Sequence, residues 1–307
     1  MLRKIKKNGT LGLIAPAFPA NETKLDKGIT YLKSLGYTIK EGQSVRERWG
    51  YFAGTDEMRI HDLHDMYADD EIDAIICARG GWGTLRLLDR VDYTLISRDP
   101  KALIGYSDIT TLQLAIFHKS GIPSISGPMV AVEMGAGILD FTEHHFFNFI
   151  NNTQKTYTID YKDAESVVWH PGKAEGKILG GCLSMVAHQL GTPFSPDYTG
   201  SIMFLEDIDE SPYKVDRYLA QMRQAGLFDN LNGLILGEFI ECEDDNEQRA
   251  SFTIEEVLHD YFDGVSYPVV YNFPYGHGSR KVSMPIGVYS YWNTGTQTIE
   301  LHNPFVL

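Results

Sequence analysis

A serine followed at once by a predicted helix is the first feature of this chain that could do chemistry. In LIGYSDIT (residues 103–110) an apolar strand ends at Ser107. Open α/β sheets bind ligands at the carboxyl ends of their strands, and N–H groups at a helix start can hold an oxyanion. Ser107 is therefore a candidate nucleophile. The local pattern alone favours a helix cap, because Ile109 replaces the second Gly of the G-x-S-x-G elbow.

A serine nucleophile needs a base, and the base needs a carboxylate to orient it. FLEDIDE (204–210) places four carboxylates at the end of a predicted strand. Strand alternation puts Glu206 and Asp207 on opposite faces, so at most one or two of the four point inward. In YGHGSR (275–280), His277 lies between two glycines, which suits a ring that must meet a substrate. From the residues alone, the acid partner stays open.

A glycine-rich turn, ARGGWG (78–83), lies between another predicted strand and helix. Consecutive glycines let the backbone approach a ligand and present its N–H groups. A plain tight turn explains this motif equally well. The dinucleotide fingerprint does not match, because Arg86 takes the place of its third Gly, and the chain has no Walker sequence.

Other polar residues favour structural roles. His61 and His64 are three apart on a predicted helix, but no distant third metal ligand is evident, so we expect an exposed polar face and no metal. Cys182 fits a small buried residue better than a nucleophile. The three cysteines match no disulfide framework and no zinc pattern, which favours a reducing compartment.

The elements that position these residues follow a βαβ rhythm from Leu11 to about Met129. Short apolar runs alternate with amphipathic stretches that begin at capping residues such as Asn21 and Thr55, and TLRLLDRV (84–91) is predicted as a helix. Strands this apolar are buried on both faces, which indicates a mostly parallel sheet with flanking helices. We assign residues 1–150 to a first domain.

The segment 151–177 is polar and without a clear period, so we predict a linker there. The alternation restarts in a second α/β domain, residues 178–307, which is rich in strands. Its predicted helices include one capped by Ser211 with Pro212 at its first position. Residues 281–307 are predicted to form β-hairpins that turn at Asn293-Thr294-Gly295.

Composition limits the function further. The 307 residues contain 41 acidic and 27 basic side chains, a net charge of −14, so nucleic acid and anionic membrane surfaces are poor partners. No window has the 18 or more apolar residues of a spanning helix. Pro16 and Pro19 interrupt the apolar run near the start, which argues against a signal peptide. We therefore expect a cytoplasmic globular protein.

Eight segments taken together resemble the LD-carboxypeptidases, a serine peptidase family that also contains microcin C self-immunity peptidases. They stand in family order and cover most of the chain: LIAPAFP, ARGGWGTLRLLD, LIGYSDITTL, GPM, GKILGGCLS, FLEDIDESPYKVDRYLAQMRQAG, GLILGEF and PYGHGSRKVSMPIG. Each segment is weak alone, and the set is specific. The resemblance implies a Rossmann-like nucleophile domain and a C-terminal domain that carries the acid and the base.

The resemblance also implies roles for individual residues. Ser107 is the nucleophile, Glu206 the acid and His277 the base, while the N–H groups of Gly81 and Asp108 form the oxyanion hole. The implied reaction is hydrolysis of the L,D-peptide bond to the terminal D-Ala of murein tetrapeptides in peptidoglycan recycling. The family implies a homodimer and no cofactor.

Substrate binding and rival functions remain open at this stage. Arg79 or Arg280 could bind the carboxylate end of a peptide, and Trp82 belongs to the same glycine turn as Arg79. A microcin-immunity peptidase would use the same triad on a nucleotide conjugate and would need an aromatic such as Trp169 to stack the base. A non-catalytic α/β protein that binds a peptide is the alternative from another class.

Overall fold

The computed structural model describes residues 1–244 and 250–306, so residue 307, the end of the predicted second domain, lies outside the described residues. Two β-sheets organise the chain. The first contains β1 (Thr10–Ile14), β2 (Thr38–Glu41), β3 (Ile72–Cys77), β4 (Ala102–Gly105), β5 (Ser124–Ser126) and β12 (Met284–Ile286). Its order is β12-β5-β4-β3-β1-β2, and every neighbouring pair is parallel except β12 with β5. The predicted mostly parallel sheet is confirmed.

Helices flank this sheet, and two of them begin directly after the predicted capping residues. They are α1 (Glu22–Ser34), α2 (Asp56–Ala68), α3 (Tyr93–Arg98), α4 (Ile109–Ser120) and α5 (Asp140–Ile150). The Asn21 side chain accepts from the Lys24 N–H at 3.1 Å, and Thr55 Oγ1 accepts from the Met58 N–H at 3.3 Å. Each cap satisfies an N–H group that has no partner inside its helix.

The helix predicted over residues 84–91 is only one short turn, Thr84–Leu87. The start of this turn is held by α4, since the Thr84 N–H donates to the Asp108 carboxylate at 3.0 Å and Thr84 Oγ1 donates to the Asp108 carbonyl at 2.6 Å. The helix of this region starts later, at Tyr93, and Asp92 caps it.

The second sheet has eight strands in the order β6-β14-β13-β8-β9-β10-β11-β7. Its strands are β6 (Thr156–Asp160), β7 (Val167–His170), β8 (Lys173–Cys182), β9 (Ile202–Ile208), β10 (Gly233–Ile240), β11 (Val269–Tyr271), β13 (Tyr289–Asn293) and β14 (Thr298–His302). Strands β8 to β11 are parallel, and the outer pairs are antiparallel. Its helices are α6 (Leu183–Gln189), α7 (Pro212–Gln224) and α8 (Ile254–Phe262).

Residues 151–177 differ from the expected linker, because they contain β6, β7 and the first half of β8. These strands are half-exposed: in β6 only Ile159 is buried, and no residue of β7 is fully buried. A strand that buries so few side chains leaves almost no hydrophobic period in the sequence.

The C-terminal strands divide between the sheets. The hairpin of β13 and β14 turns at Asn293-Thr294-Gly295 as predicted, and the Gly295 N–H donates to Asn293 Oδ1 at 3.0 Å. Strand β12 instead pairs with β5 in the first sheet, with Met284 beside Ser126.

The two sheets are joined at α4. The Cys182 N–H donates to Thr110 Oγ1 at 3.2 Å, and Gln189 Nε2 donates to the Thr111 carbonyl at 3.0 Å. The carboxyl ends of β3, β4 and β9 therefore lie near one another. None of the helices in residues 1–244 and 250–306 is long and apolar enough to cross a membrane.

Candidate active site

Ser107 lies in a strained turn between β4 and α4. Its φ of +63° is in the left-handed region, which residues with a side chain rarely adopt. Strain of this kind costs about 1–3 kcal/mol and concentrates at functional sites. The N-cap position of α4 is Asp108 rather than Ser107, and Ser107 is half-buried at the turn, so its geometry is that of an elbow rather than of a helix cap.

The glycine turn after β3 packs directly against Ser107. A Cβ on Gly80 would lie 3.0 Å from Ser107 Oγ, and a Cβ on Gly81, whose φ is +128°, would lie 2.4 Å from the Phe18 ring. Only glycine permits this approach. In the described part of the chain, neither the Gly81 nor the Asp108 N–H has a backbone acceptor outside the helices and strands. That leaves both as candidate donors to an oxyanion.

The Asp108 side chain turns away from the helix start and anchors the glycine turn through Thr84. Burial raises the pKa of Asp108 to about 7, and the hydrogen bonds from Thr84 oppose that rise. A second anchor, which no local pattern in the sequence indicates, is the fully buried Arg59. Its Nη1 donates to the Pro16 carbonyl at 2.6 Å and to the Gly83 carbonyl at 3.2 Å. Arg59 thus fixes the loops after β1 and β3.

Glu206 and His277 form a hydrogen-bonded pair. His277 Nδ1 donates to Glu206 Oε2 at 2.7 Å, the Glu206 side chain is fully buried and that of His277 is 14% exposed. Since an ionised carboxylate only accepts, Nδ1 carries the proton and Nε2 is left to accept one. A Cβ on Gly276 would lie 2.7 Å from Glu206 Oε2, so the glycine before His277 makes room for the carboxylate.

The other three acids of 204–210 have different neighbours. Asp207 faces the opposite side of β9 and accepts from the Ser184 N–H at 2.8 Å. Burial, and next the Glu206 charge, raise the pKa of Asp207 to about 6. Glu210 pairs with Lys214 at 3.1 Å, and Asp209 is exposed. Of the four, Glu206 is the one in contact with His277.

Ser107 and His277 are brought together through Tyr106. The Tyr106 ring meets the His277 ring edge to face, with centroids 5.0 Å apart. Within residues 1–244 and 250–306, the hydrogen bonds of His277 include the one to Glu206 and none to Ser107 Oγ. Catalytic hydrogen bonds are often long without substrate and tighten in the complex. The structure therefore places all three side chains in one region and forms one of the two contacts of a triad.

Family models cover both parts of this site. Residues 11–127 match the LD-carboxypeptidase N-terminal domain, and residues 175–290 match the LD-carboxypeptidase C-terminal domain. This chain belongs to the LD-carboxypeptidase family. Ser107 lies in the first matched range of this family, and Glu206 and His277 lie in the second.

Individual members agree with that assignment. The "probable murein peptide carboxypeptidase" of Bacillus subtilis (strain 168) is 38% identical over 96% of this chain and 92% of that protein. A crystal structure of muramoyltetrapeptide carboxypeptidase from Oxalobacter formigenes is 30% identical, with a TM-score of 0.84 over 95% of this chain and 97% of that one. The microcin C7 self-immunity protein MccF of Escherichia coli is 27% identical over 91% of this chain and 89% of that protein. As a member of this family, this protein is a peptidase.

The predicted substrate-binding residues of this LD-carboxypeptidase family member lie in different places. Arg79 is half-buried near the site, where its guanidinium lies 5.8 Å from the Phe18 ring centre and Nε donates to the Gly80 carbonyl. Trp82 is half-buried in the same turn.

Arg280 is exposed and stacks 4.4 Å above Phe141, along a groove of about 660 Å³ beside α5. Arg79 and Trp82 therefore belong to the glycine turn that packs against Ser107, whereas Arg280 lines the groove beside α5.

The competing residues have structural partners. His61 pairs with Asp65 at 3.0 Å, and His64 Nε2 accepts from the Asp92 N–H at 2.9 Å. Among the residues that the structure describes, no group of three or more His, Cys, Asp or Glu could hold a metal ion.

Cys182 is buried, which raises the pKa of its thiol well above the usual range. Trp169 stacks on His259 at 4.0 Å and on Tyr271 at 4.7 Å.

Sequence reasoning missed two groups beside the site. Glu133 and Lys281 form a buried ion pair next to Tyr106. Glu238 of β10 lies against Gly278, where a Cβ would be 1.7 Å from its Oε2, and burial raises the pKa of Glu238. Both Lys281 and Glu238 lie in segments that carried the family resemblance, which is the signal that could have drawn attention to them.

Proposed function

We propose that this protein is a serine LD-carboxypeptidase that releases the terminal D-Ala of murein tetrapeptides. The hydrogen bond between Glu206 and His277 carries the proposal, since it orients an accessible imidazole beside the strained turn of Ser107. The names of the Bacillus subtilis and Oxalobacter formigenes relatives support a murein peptide as the substrate. The proposal extends to a role in cell-wall recycling, which the family resemblance implies.

The first half of the reaction follows from the proton positions. His277 Nε2 takes the proton of Ser107, and the alkoxide attacks the carbonyl carbon of the L,D-peptide bond. The N–H groups of Gly81 and Asp108 hold the tetrahedral oxyanion. The imidazolium, stabilised by Glu206, gives its proton to the leaving amine, so D-Ala departs and the acyl group stays on Ser107.

Water completes the reaction. His277 removes a proton from a water molecule, and the resulting hydroxide attacks the ester carbonyl of the acyl-enzyme. The second tetrahedral intermediate uses the same N–H donors, and its collapse returns the proton to Ser107. Arg79 is suited to bind a carboxylate of the peptide, because its half-buried guanidinium lies beside the glycine turn.

The test is D-Ala release from a murein tetrapeptide by the wild type and by Ser107→Ala. We expect the variant to lose about 10⁴-fold or more in kcat, because a triad member is removed. Ser97→Ala is the matched control, since Ser97 is exposed on α3 and should leave the rate unchanged. Normal turnover by Ser107→Ala would refute the assignment, and a fluorophosphonate that fails to label Ser107 would support a non-catalytic peptide-binding protein.

Assembly, location and the microcin alternative stay predictions. The family resemblance predicts a cytoplasmic homodimer, and light scattering measures the mass in solution. A microcin-immunity activity would require Trp169 to leave its stack with His259 and Tyr271 before it could hold a base. Hydrolysis of an aminoacyl sulfamoyl adenosine, compared with the murein peptide, separates the two branches.

A further inference from the structure

A buried polar cluster joins the two halves of the molecule next to the catalytic pair. It consists of Tyr106, Glu133 and Lys281, and the last two side chains are only 10% and 4% exposed. Lys281 Nζ donates to Glu133 and, at 3.0 Å, to the Tyr106 hydroxyl, which itself donates to Glu133 Oε1 at 2.7 Å. The Met129 N–H donates to the other Glu133 oxygen at 2.9 Å. The polar atoms of this cluster therefore satisfy one another.

Each member is attached to a different part of the candidate machinery. Tyr106 directly precedes Ser107, Lys281 follows His277 by four residues, and Glu133 belongs to the turn after β5. The Tyr106 ring contacts the His277 ring at 5.0 Å, and Lys281 Nζ lies 4.1 Å from the centre of the same Tyr106 ring. Tyr106 is thus held at its hydroxyl and in turn touches the proposed base.

The base needs a second constraint besides Glu206. One hydrogen bond at Nδ1 leaves the imidazole of His277 free to swing about that bond, which would move Nε2 relative to Ser107. An edge contact from a fixed aromatic ring removes that freedom. Errors of about 1 Å in such a contact cost about 10²-fold in rate.

We infer that Glu133 and Lys281 are positioning residues: they hold the Tyr106 hydroxyl so that the Tyr106 ring keeps His277 facing Ser107. This inference rests on the proposed function. The cluster is not needed merely to join the two halves of the molecule, because other contacts also join them. One of these is the 2.7 Å hydrogen bond between Ser126 Oγ and the Tyr275 hydroxyl. The pairing of β12 with β5 adds another.

The experiment uses Tyr106→Phe, Lys281→Met and the double variant Glu133→Gln/Lys281→Met. Tyr106→Phe keeps the ring and removes both hydroxyl hydrogen bonds, so we expect kcat to fall about 10-fold and KM to stay within about twofold. Lys281→Met leaves Glu133 buried without its cation and should lower both Tm and kcat. The double variant leaves no unpaired charge, so its Tm should recover while kcat stays low.

Lys101→Met is the matched control, because Lys101 is also fully buried and pairs with Asp99 at 3.0 Å, away from His277. It should lower Tm and leave kcat of the folded protein unchanged. A second readout is the rate at which a fluorophosphonate labels Ser107, which depends on the base and needs no peptide. That rate should fall in the same variants as kcat.

The outcomes separate the inference from the proposed function. If Tyr106→Phe and the double variant keep kcat and labelling rate within twofold of wild type, the positioning role is refuted. Recovery of kcat together with Tm in the double variant would equally refute it, since that is the behaviour of a purely structural ion pair. If Ser107 is not labelled and wild type releases no D-Ala, the proposed function itself fails. Ser107 labelling without D-Ala release would leave the positioning role to be decided by the labelling rates alone.

Discussion

Glycines decide what can approach the candidate catalytic residues. A Cβ on Gly276 or on Gly278 would collide with Glu206 or Glu238, so the backbone on both sides of His277 passes close to a carboxylate. A Cβ on Gly81 would likewise collide with the Phe18 ring, next to the N–H group proposed for the oxyanion hole. The glycines on both sides of His277 therefore make room for two carboxylates, in addition to leaving the imidazole open to a substrate.

Gly81→Ala tests the oxyanion hole at the scale of one residue. The added Cβ collides with Phe18 at a φ of +128°, so the turn must shift and carry its N–H away from the oxyanion. Loss of one such donor lowers kcat about 10²–10³-fold. Gly137→Ala is the control, because its φ is +98° and a Cβ there meets nothing within 4 Å. If steady-state kinetics show equal, small effects in both variants, Gly81 is not an oxyanion donor.

Asp108 links the start of α4 to the glycine turn, and its protonation should be visible in stability. Burial raises the pKa of this carboxyl from 3.8 to about 7. Between these two pH values, the folded protein keeps a proton that the unfolded chain has released. The stability contributed by Asp108 is therefore fully present below pH 3.8 and is lost as the pH rises through 7. Asn at this position keeps an acceptor for Thr84 and does not titrate.

Urea unfolding of wild type and Asp108→Asn measures this contribution. Between about pH 5 and about pH 7, we expect the free energy of unfolding of wild type to decrease relative to the variant by up to about 1.4 kcal/mol per pH unit. The difference should level off at higher pH, once Asp108 is ionised in both states. Parallel curves for the two proteins would show that Asp108 has an ordinary pKa.

Individual elements differ in how far the sequence predicts them. The sequence pattern predicts β3 and β4 because strands buried on both faces are continuous apolar runs. It predicts the caps at Asn21 and Thr55 and the turn after β4 because helix starts have characteristic residues. The contact between Glu133 and Lys281 spans 148 positions and no local pattern encodes it. The strands in 151–177 bury too few residues to be recognised. The family resemblance selected Glu206 from four acids, and the contact with His277 agrees with that choice.

At the scale of the whole molecule, the chain returns to its first sheet after completing most of the second. Strand β12 pairs with β5, and Met284 and Ile286 are fully buried there. The first sheet is therefore incomplete without residues that follow His277 in sequence. The polar links between Ser126 and Tyr275 and within the Tyr106 cluster cross the same boundary.

This interlocked topology predicts one unfolding transition rather than two. Because each half buries side chains of the other, loss of either half exposes apolar surface and unpaired polar groups in the remaining half. Scanning calorimetry should give a single peak whose calorimetric and van't Hoff enthalpies agree, and a fragment of residues 1–150 should show no cooperative transition, since it lacks β12. The fragment extended by a covalently linked copy of residues 281–288 is the control and should regain part of the transition. Two resolved peaks for the full chain, or a cooperative fragment 1–150, would mean that the halves fold independently and that only weak contacts bring Ser107 and His277 together.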